Sequence, residues 1–185
     1  MPSSDPITIP KVLQLVQTLS PSSVLDIGCG NGRYGFLFRE ILDWNHGRLE
    51  RSSWETRIDA VEVERSYLTA IHGYVYDTVL EEDWLTADAD YYDLVFMGDV
   101  LEHFENWQLA LAKAFRHGSM VLVVAPNWSG SGSQGAWMGR ESERHRTELD
   151  PGKLSALGGR FLWANSKAMI VGFGGGLLEG RDVLL

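Results

Sequence analysis

Val24-Leu25-Asp26-Ile27-Gly28-Cys29-Gly30-Asn31-Gly32-Arg33-Tyr34-Gly35 is the stretch on which the reading of this chain turns. Apolar residues around one acid read as the end of a buried parallel strand. Glycines at 28, 30 and 32 then specify a tight turn without side chains. Phe36, Leu37, Ile41 and Leu42 give the following segment one apolar face, so a helix is expected from about Arg33 to Asp43. Such a strand–turn–helix unit presents backbone N–H groups at a helix N-terminus, where a ligand can lie against the main chain.

Outward from this unit, Lys11 to Leu19 carries Val12, Leu13, Leu15, Val16 and Leu19 at helical spacing, and Ser20-Pro21-Ser22-Ser23 ends it. Residues 1–10 are expected to form a loose leader and 11–185 a single domain. Asn45 to Glu55 is polar and reads as a surface insertion. Arg57 to Val63 reads as the second strand, Ser66 to Gly73 as a short helix and Tyr76 to Leu80 as the third strand. Tyr92 to Met97 is the fourth strand, Asn106 to Arg116 a helix and Met120 to Ala125 the fifth strand. Pro151 to Leu157 is expected to be helical. Phe161 to Ala164 and Ala168 to Phe173 read as two strands joined at Asn165-Ser166-Lys167. Strands alternating with helices imply an α/β fold, a mostly parallel sheet covered on both faces, with an antiparallel pair at one edge.

In an open sheet of this kind, ligands bind beyond the carboxyl ends of the strands. Acids follow four of those ends. They are Asp26 at the glycine turn, Glu62 and Glu64 after the second strand, Glu82-Asp83-Trp84 after the third, and Asp99 with Glu102-His103 after the fourth. A dinucleotide fingerprint needs glycines spaced G-x-G-x-x-G and an acid about 20 residues on. Gly28, Gly30 and Gly32 are spaced two apart instead, while Glu62 lies well over 20 residues beyond Gly30, an excess that the Asn45 to Glu55 insertion explains for either ligand class.

The formal net charge of −9 makes the chain a poor partner for a phosphate backbone, so bulk nucleic-acid binding is not expected. Arg140, Arg144, His145 and Arg146 are one candidate for a local basic site. No apolar stretch approaches the roughly 18 residues of a membrane span, so no membrane partner is expected. Cys29 is the single cysteine. No internal disulfide can form, a cytoplasmic location is the default, and a thiol inside the glycine turn reads as a space-filler. The apolar tail Val183-Leu184-Leu185 is a candidate for packing on a second copy of the chain. Adjacent Glu102 and His103 do not share a helical face, and no other ligand set has useful spacing, so no metal site is expected.

Together these segments resemble the class I S-adenosylmethionine (SAM) methyltransferases. The glycine turn is similar to their first motif, and Ile58 to Glu62 to their second. Tyr92 to Phe104 is similar to the fourth-strand segment of many small-molecule members, and Val121 to Asn127 to the fifth strand and its Pro-Asn exit. The resemblance implies a three-layer Rossmann-like sheet of order 3-2-1-4-5-7-6 with strand 7 antiparallel. It also implies SAM as cofactor, S-adenosylhomocysteine (SAH) as product and a small-molecule or sugar-linked acceptor methylated by in-line displacement. A NAD(P)- or other nucleotide-using enzyme and a non-catalytic SAM-binding module are the alternatives.

On that resemblance, Gly28 and Gly30, with Cys29 and Gly32 in the same turn, admit the amino-acid end of the cofactor. Glu62, with Val63 beside it, accepts from the ribose hydroxyls. Asp83 accepts from the adenine amino group while Trp84 or Leu85 covers the ring, and Asp26 or Asp99 faces the ammonium or sulfonium charge. His103 and His145 are the candidate general bases, needed when the acceptor carries a proton. Trp128 and Trp137 are candidates to wall the acceptor pocket. Gln134-Gly135 with Glu143-Arg144-His145-Arg146 is similar to a subgroup of small bacterial and phage methyltransferases. Gly139-Arg140 and Leu149 depart from the Gly-Asn and the aromatic residue that subgroup places around this segment.

Overall fold

The structure, a computed structural model, describes residues 6–127 and 141–174. Within them the chain forms α1 (Ile9–Leu19), β1 (Ser23–Ile27), α2 (Arg33–Leu42), β2 (Arg57–Val61), α3 (Ala70–Val75) and β3 (Val79–Leu80). There follow β4 (Tyr92–Gly98), α4 (Trp107–His117), β5 (Gly118–Pro126), α5 (Pro151–Ser155), β6 (Arg160–Ala164) and β7 (Ala168–Phe173). The seven strands make one sheet of order β3-β2-β1-β4-β5-β7-β6. β7 runs antiparallel to β5 and β6, and the other pairs are parallel, as the resemblance implies.

Period-2 alternation along the central strands builds two cores. Val24, Leu94, Phe96, Leu122 and Val124 point to one face, where Val12, Val16, Phe38, Ile41 and Leu42 of α1 and α2 cover them. Leu25, Ile27, Val95, Met97, Val121 and Val123 point to the other, under Trp107, Leu111 and Ala114 of α4 and Leu154 of α5. Burial of both faces explains why these strands read as continuous apolar runs.

Three local outcomes differ from the sequence reading. α1 starts at Ile9, and Thr8 is buried with its hydroxyl 3.3 Å from that of Tyr34, so part of the expected leader is packed. The single helix expected over Ser66 to Gly73 is instead a 3-10 turn at Arg65–Tyr67 and then α3. Thr69 divides them: its backbone N–H donates to His72 Nδ1 at 3.0 Å and opens the second helix. β3 shrinks to Val79–Leu80 because Tyr76 turns into the core and the Asp77 carboxylate accepts from the Ile58 N–H at 2.9 Å. The polar insertion Asn45 to Glu55 lies on the surface as expected, with none of its residues buried, and Trp54 ties it to the fold. Arg39, fully buried on α2, donates to Val75 O at 2.9 Å, Asp43 at 2.8 Å, Asp77 at 2.7 Å and the Thr56 carbonyl, and its guanidinium lies 4.4 Å over the Trp54 ring. The hairpin turn behaves as expected, with Asn165 Oδ1 accepting from the N–H groups of Lys167 and Ala168.

Among the described residues no helix is long and apolar enough to cross a membrane. Trp128, Trp137, Gln134-Gly135, Gly139-Arg140 and the Val183-Leu184-Leu185 tail lie outside the described residues.

Candidate active site

A cavity of about 560 Å³ opens beyond the carboxyl ends of β1, β2 and β4, within the size range of small-molecule sites. Its floor is the turn after β1. Gly28 adopts φ 71°, and a Cβ there would sit 2.9 Å from Val100 Cβ, so both conformation and space demand glycine. Gly28, Cys29 and Gly30 line the cavity. Gly32 corrects the expectation. It is not among the lining residues, but caps α2 with its Cα face turned to the His72 ring, whose Nε2 would lie 3.3 Å from an added Cβ.

The turn is braced from two sides. Glu62 is buried at the end of β2; one carboxylate oxygen accepts from the Gly30 N–H and the other from the Glu64 N–H, each at 2.8 Å. Each oxygen keeps a further lone pair. Burial pushes the Glu62 carboxyl above the ordinary range, against those two bonds. On the other side, His72 Nε2 lies 2.9 Å from Gly30 O. Because Nδ1 accepts from Thr69, Nε2 carries the proton and donates to that carbonyl.

Asp26 lies under the floor, 2 % exposed, accepting from the Tyr76 hydroxyl at 2.6 Å. Burial raises its carboxyl to about 7; the Tyr76 bond opposes the rise and the Glu62 charge adds to it. The same burial, with Asp26 and Glu62 near, drives the Cys29 thiol far up, which leaves it a neutral filler.

Further along, Val63 is 62 % exposed at the rim. Asp83 lines the cavity and accepts from the Leu85 N–H at 2.8 Å. Trp84 is buried, and its indole N–H donates to Ala110 O at 3.0 Å, which ties it to α4; Leu85 stays half-buried in the cavity wall. Asp99, in a left-handed turn at φ 49° after β4, and His103 also line the cavity. Aspartate tolerates that conformation better than most residues. Tyr67 and Glu143 close the wall across the sheet ends, the Tyr67 hydroxyl donating to Glu143 at 2.5 Å. Neither they nor His72 and Tyr76 were expected, because their partners lie far off in sequence and no local pattern marks them.

His145 does not line the cavity. It packs behind His103, with ring centroids 5.0 Å apart. Burial and the neighbouring His103 lower its pKa, which favours a neutral ring. His103 Nδ1 lies 3.1 Å from Arg144 O. A carbonyl only accepts, so Nδ1 holds a proton, and in the neutral ring Nε2 is the nitrogen with the lone pair. Glu102 is 1 % exposed, and neither carboxylate oxygen has a hydrogen-bond partner. Burial, then the charge of Asp99, pushes its carboxyl well above the ordinary range. Spacing along the chain marks no ligand set, yet the fold brings three candidate groups together. One ligand atom each from Glu102, His103 and His145 come within 4.8 Å of one another. Helical-face spacing does not govern them, since Glu102 and His103 sit on a 3-10 turn and His145 arrives from a distant loop.

No curated protein matches the sequence. Among solved structures, the chain is similar to the methyltransferase domain of bacterial CtHen1 (TM-score 0.57, 21% identity, covering 90% of this chain and 96% of that one). It is also similar to the N-terminal domain of EvdMO1, determined with SAH and D-fucose (TM-score 0.62, 14% identity, 91% and 82% covered). A third is the 1,6-didemethyltoxoflavin-N1-methyltransferase of Burkholderia thailandensis, determined with its substrate and SAH (TM-score 0.63, 16% identity, 88% and 75% covered). At these identities the likeness is one of fold. The family model for a methyltransferase domain matches residues 8–157. A match that runs from α1 to α5, through the glycine turn and every parallel strand, makes this chain a member of the methyltransferase-domain family.

Proposed function

We propose that this methyltransferase takes its methyl group from SAM, bound along β1 and β2, and passes it to a small-molecule acceptor held at the Asp99–His103 end of the cavity. The observation that carries the reading is one continuous cavity joining the glycine turn, the Glu62 carboxylate and Asp83 to Asp99 and His103. SAH in the related EvdMO1 and toxoflavin structures supports the cofactor, and the toxoflavin enzyme supports a small-molecule acceptor.

In this reading the N–H-rich turn receives the methionine portion of the cofactor. The remaining lone pairs of Glu62 accept from the ribose hydroxyls. Asp83 meets the adenine amino group, and Leu85, rather than the α4-tied Trp84, covers the ring. Asp26 and Asp99 lie where the cationic groups pass. The acceptor's lone pair attacks the methyl carbon in line with the departing sulfur. The C–S bond breaks as the new bond forms, and SAH leaves. Alignment and exclusion of water carry most of the rate. A protonated acceptor gives up its proton at the histidine end, where His103 lines the cavity.

Thermal shift and calorimetry with SAM, SAH, NAD and NADP test the reading. SAH at 100 times its Kd adds about 2.7 kcal/mol to the native state. For a chain of this size that raises Tm by about 5–10 °C. Glu62→Ala is expected to weaken SAH at least tenfold, since hydrogen bonds to a charged group contribute about 1.5–3 kcal/mol. Stabilisation by NADP and none by SAM or SAH overturns the proposal.

A further inference from the structure

We propose that Glu102, His103 and His145 form a binding site for one divalent transition-metal ion in the wall of the acceptor end of the cavity. The inference rests on the preceding reading only for what the cavity holds; the ion site itself stands on these residues alone.

The first observation is convergence. Two imidazoles and a carboxylate bring ligand atoms within 4.8 Å of one another. Two ligands sharing an ion at about 2.1 Å can be no more than about 4.2 Å apart, so the set closes by a rotamer-scale adjustment. The second observation is independent. Glu102 is 1 % exposed, yet both its carboxylate oxygens lack a hydrogen-bond partner. Burying an unpaired carboxylate is costly, and groups so placed are usually paired or bound to metal.

The arrangement is also built before any ion arrives. The Glu102 backbone carbonyl accepts from the N–H groups of Arg146 at 2.8 Å and Thr147 at 3.1 Å. Thr147 donates its hydroxyl to Phe104 O at 3.0 Å, and Arg146 pairs with Glu105 at 2.6 Å. These bonds hold the loop that carries His145 against the turn that carries the other two ligands. His103 donates Nδ1–H to a backbone carbonyl, the outer contact that typically orients a metal-bound imidazole and leaves Nε2 for the ion.

The donor set selects the ion class. Imidazole with carboxylate suits Zn²⁺, Co²⁺, Mn²⁺ or Fe²⁺, whereas Mg²⁺ and Ca²⁺ prefer oxygen ligands throughout. Three protein ligands leave coordination positions open, and His103 also lines the cavity, so an open position faces the acceptor end. With the ion bound, His103 and His145 act as ligands. An acceptor oxygen or nitrogen then meets a cation that lowers its pKa, in place of an imidazole base.

Titration of the chelator-treated full chain with Co²⁺ and Zn²⁺, without SAM, tests the site. One ion per chain is expected, with visible Co²⁺ absorption bands. Glu102→Gln, His103→Ala and His145→Ala should each weaken binding at least about 10–100-fold, the loss that outer contacts alone can carry. Glu102→Gln nearly keeps the shape of the side chain, so it should retain a cooperative melting transition and SAH affinity. No stoichiometric ion on the wild type, or equal binding by all three variants, overturns the proposal. SAH titration of the same samples reads the cofactor proposal separately.

Discussion

Asp26→Asn should change how stability depends on pH, by an amount the structure sets. The Asp26 carboxyl is 2 % exposed beneath the glycine turn, and burial raises its pKa from 3.8 to about 7, with the Tyr76 hydroxyl opposing and Glu62 adding. Below pH 3.8 both folded and unfolded chains hold this proton. Above it the unfolded chain releases the proton while the folded chain keeps it until about pH 7, so stability falls as pH rises through that window. At 1.36 kcal/mol per pH unit, the gap is worth about 4 kcal/mol. Asparagine cannot titrate and can still accept from Tyr76. Urea denaturation of wild type and variant from pH 4 to pH 8 isolates this group, because other ionisations cancel in the difference. The variant should gain about 4 kcal/mol on the wild type across the window, most of it before pH 7. A difference that stays constant with pH would refute the assignment of a buried, proton-retaining Asp26.

Gly35→Ala would drive a methyl into the ring of Tyr76, which is 1 % exposed and held to Asp26. It should cost about 1–3 kcal/mol, read as a lower Tm, and an unchanged Tm would show that the α2–Tyr76 contact is looser than described. Arg39→Ala would leave the buried Asp43 carboxylate with Arg48 as its remaining cation and strip their buried donor from the carbonyls of Val75 and Thr56. A loss of about 3–5 kcal/mol in chemical denaturation is expected, and a loss below about 1 kcal/mol would contradict the hub.

The strands themselves were legible because their determinants are local, whereas their order in the sheet followed from the family resemblance. β1, β4 and β5 are apolar runs whose alternate residues fill two cores, and the glycine turn marks where the chain reverses toward α2. What the sequence hid depends on tertiary contacts. Asp77 looks like a strand residue until its carboxylate takes the Ile58 N–H and the Arg39 guanidinium. Gly32 looks like part of the floor until its φ of 76° turns it to His72. Trp84 lines the cavity as its place in sequence suggests, but its tie to α4 through Ala110 O is a tertiary contact no local pattern marks. The Glu102, His103 and His145 cluster escaped spacing rules because those rules assume one helix or one turn. Here a loop beyond β5 is sewn to the exit of β4 through the Glu102 carbonyl.

The double grip of Glu62 on Gly30 and Glu64 has a kinetic consequence. Since the protein itself sets the conformation of the turn, an incoming molecule does not spend affinity on ordering it. Encounter at this end should therefore proceed at the speed of ordinary docking, and differences in affinity among related ligands should appear mainly in how long each one stays.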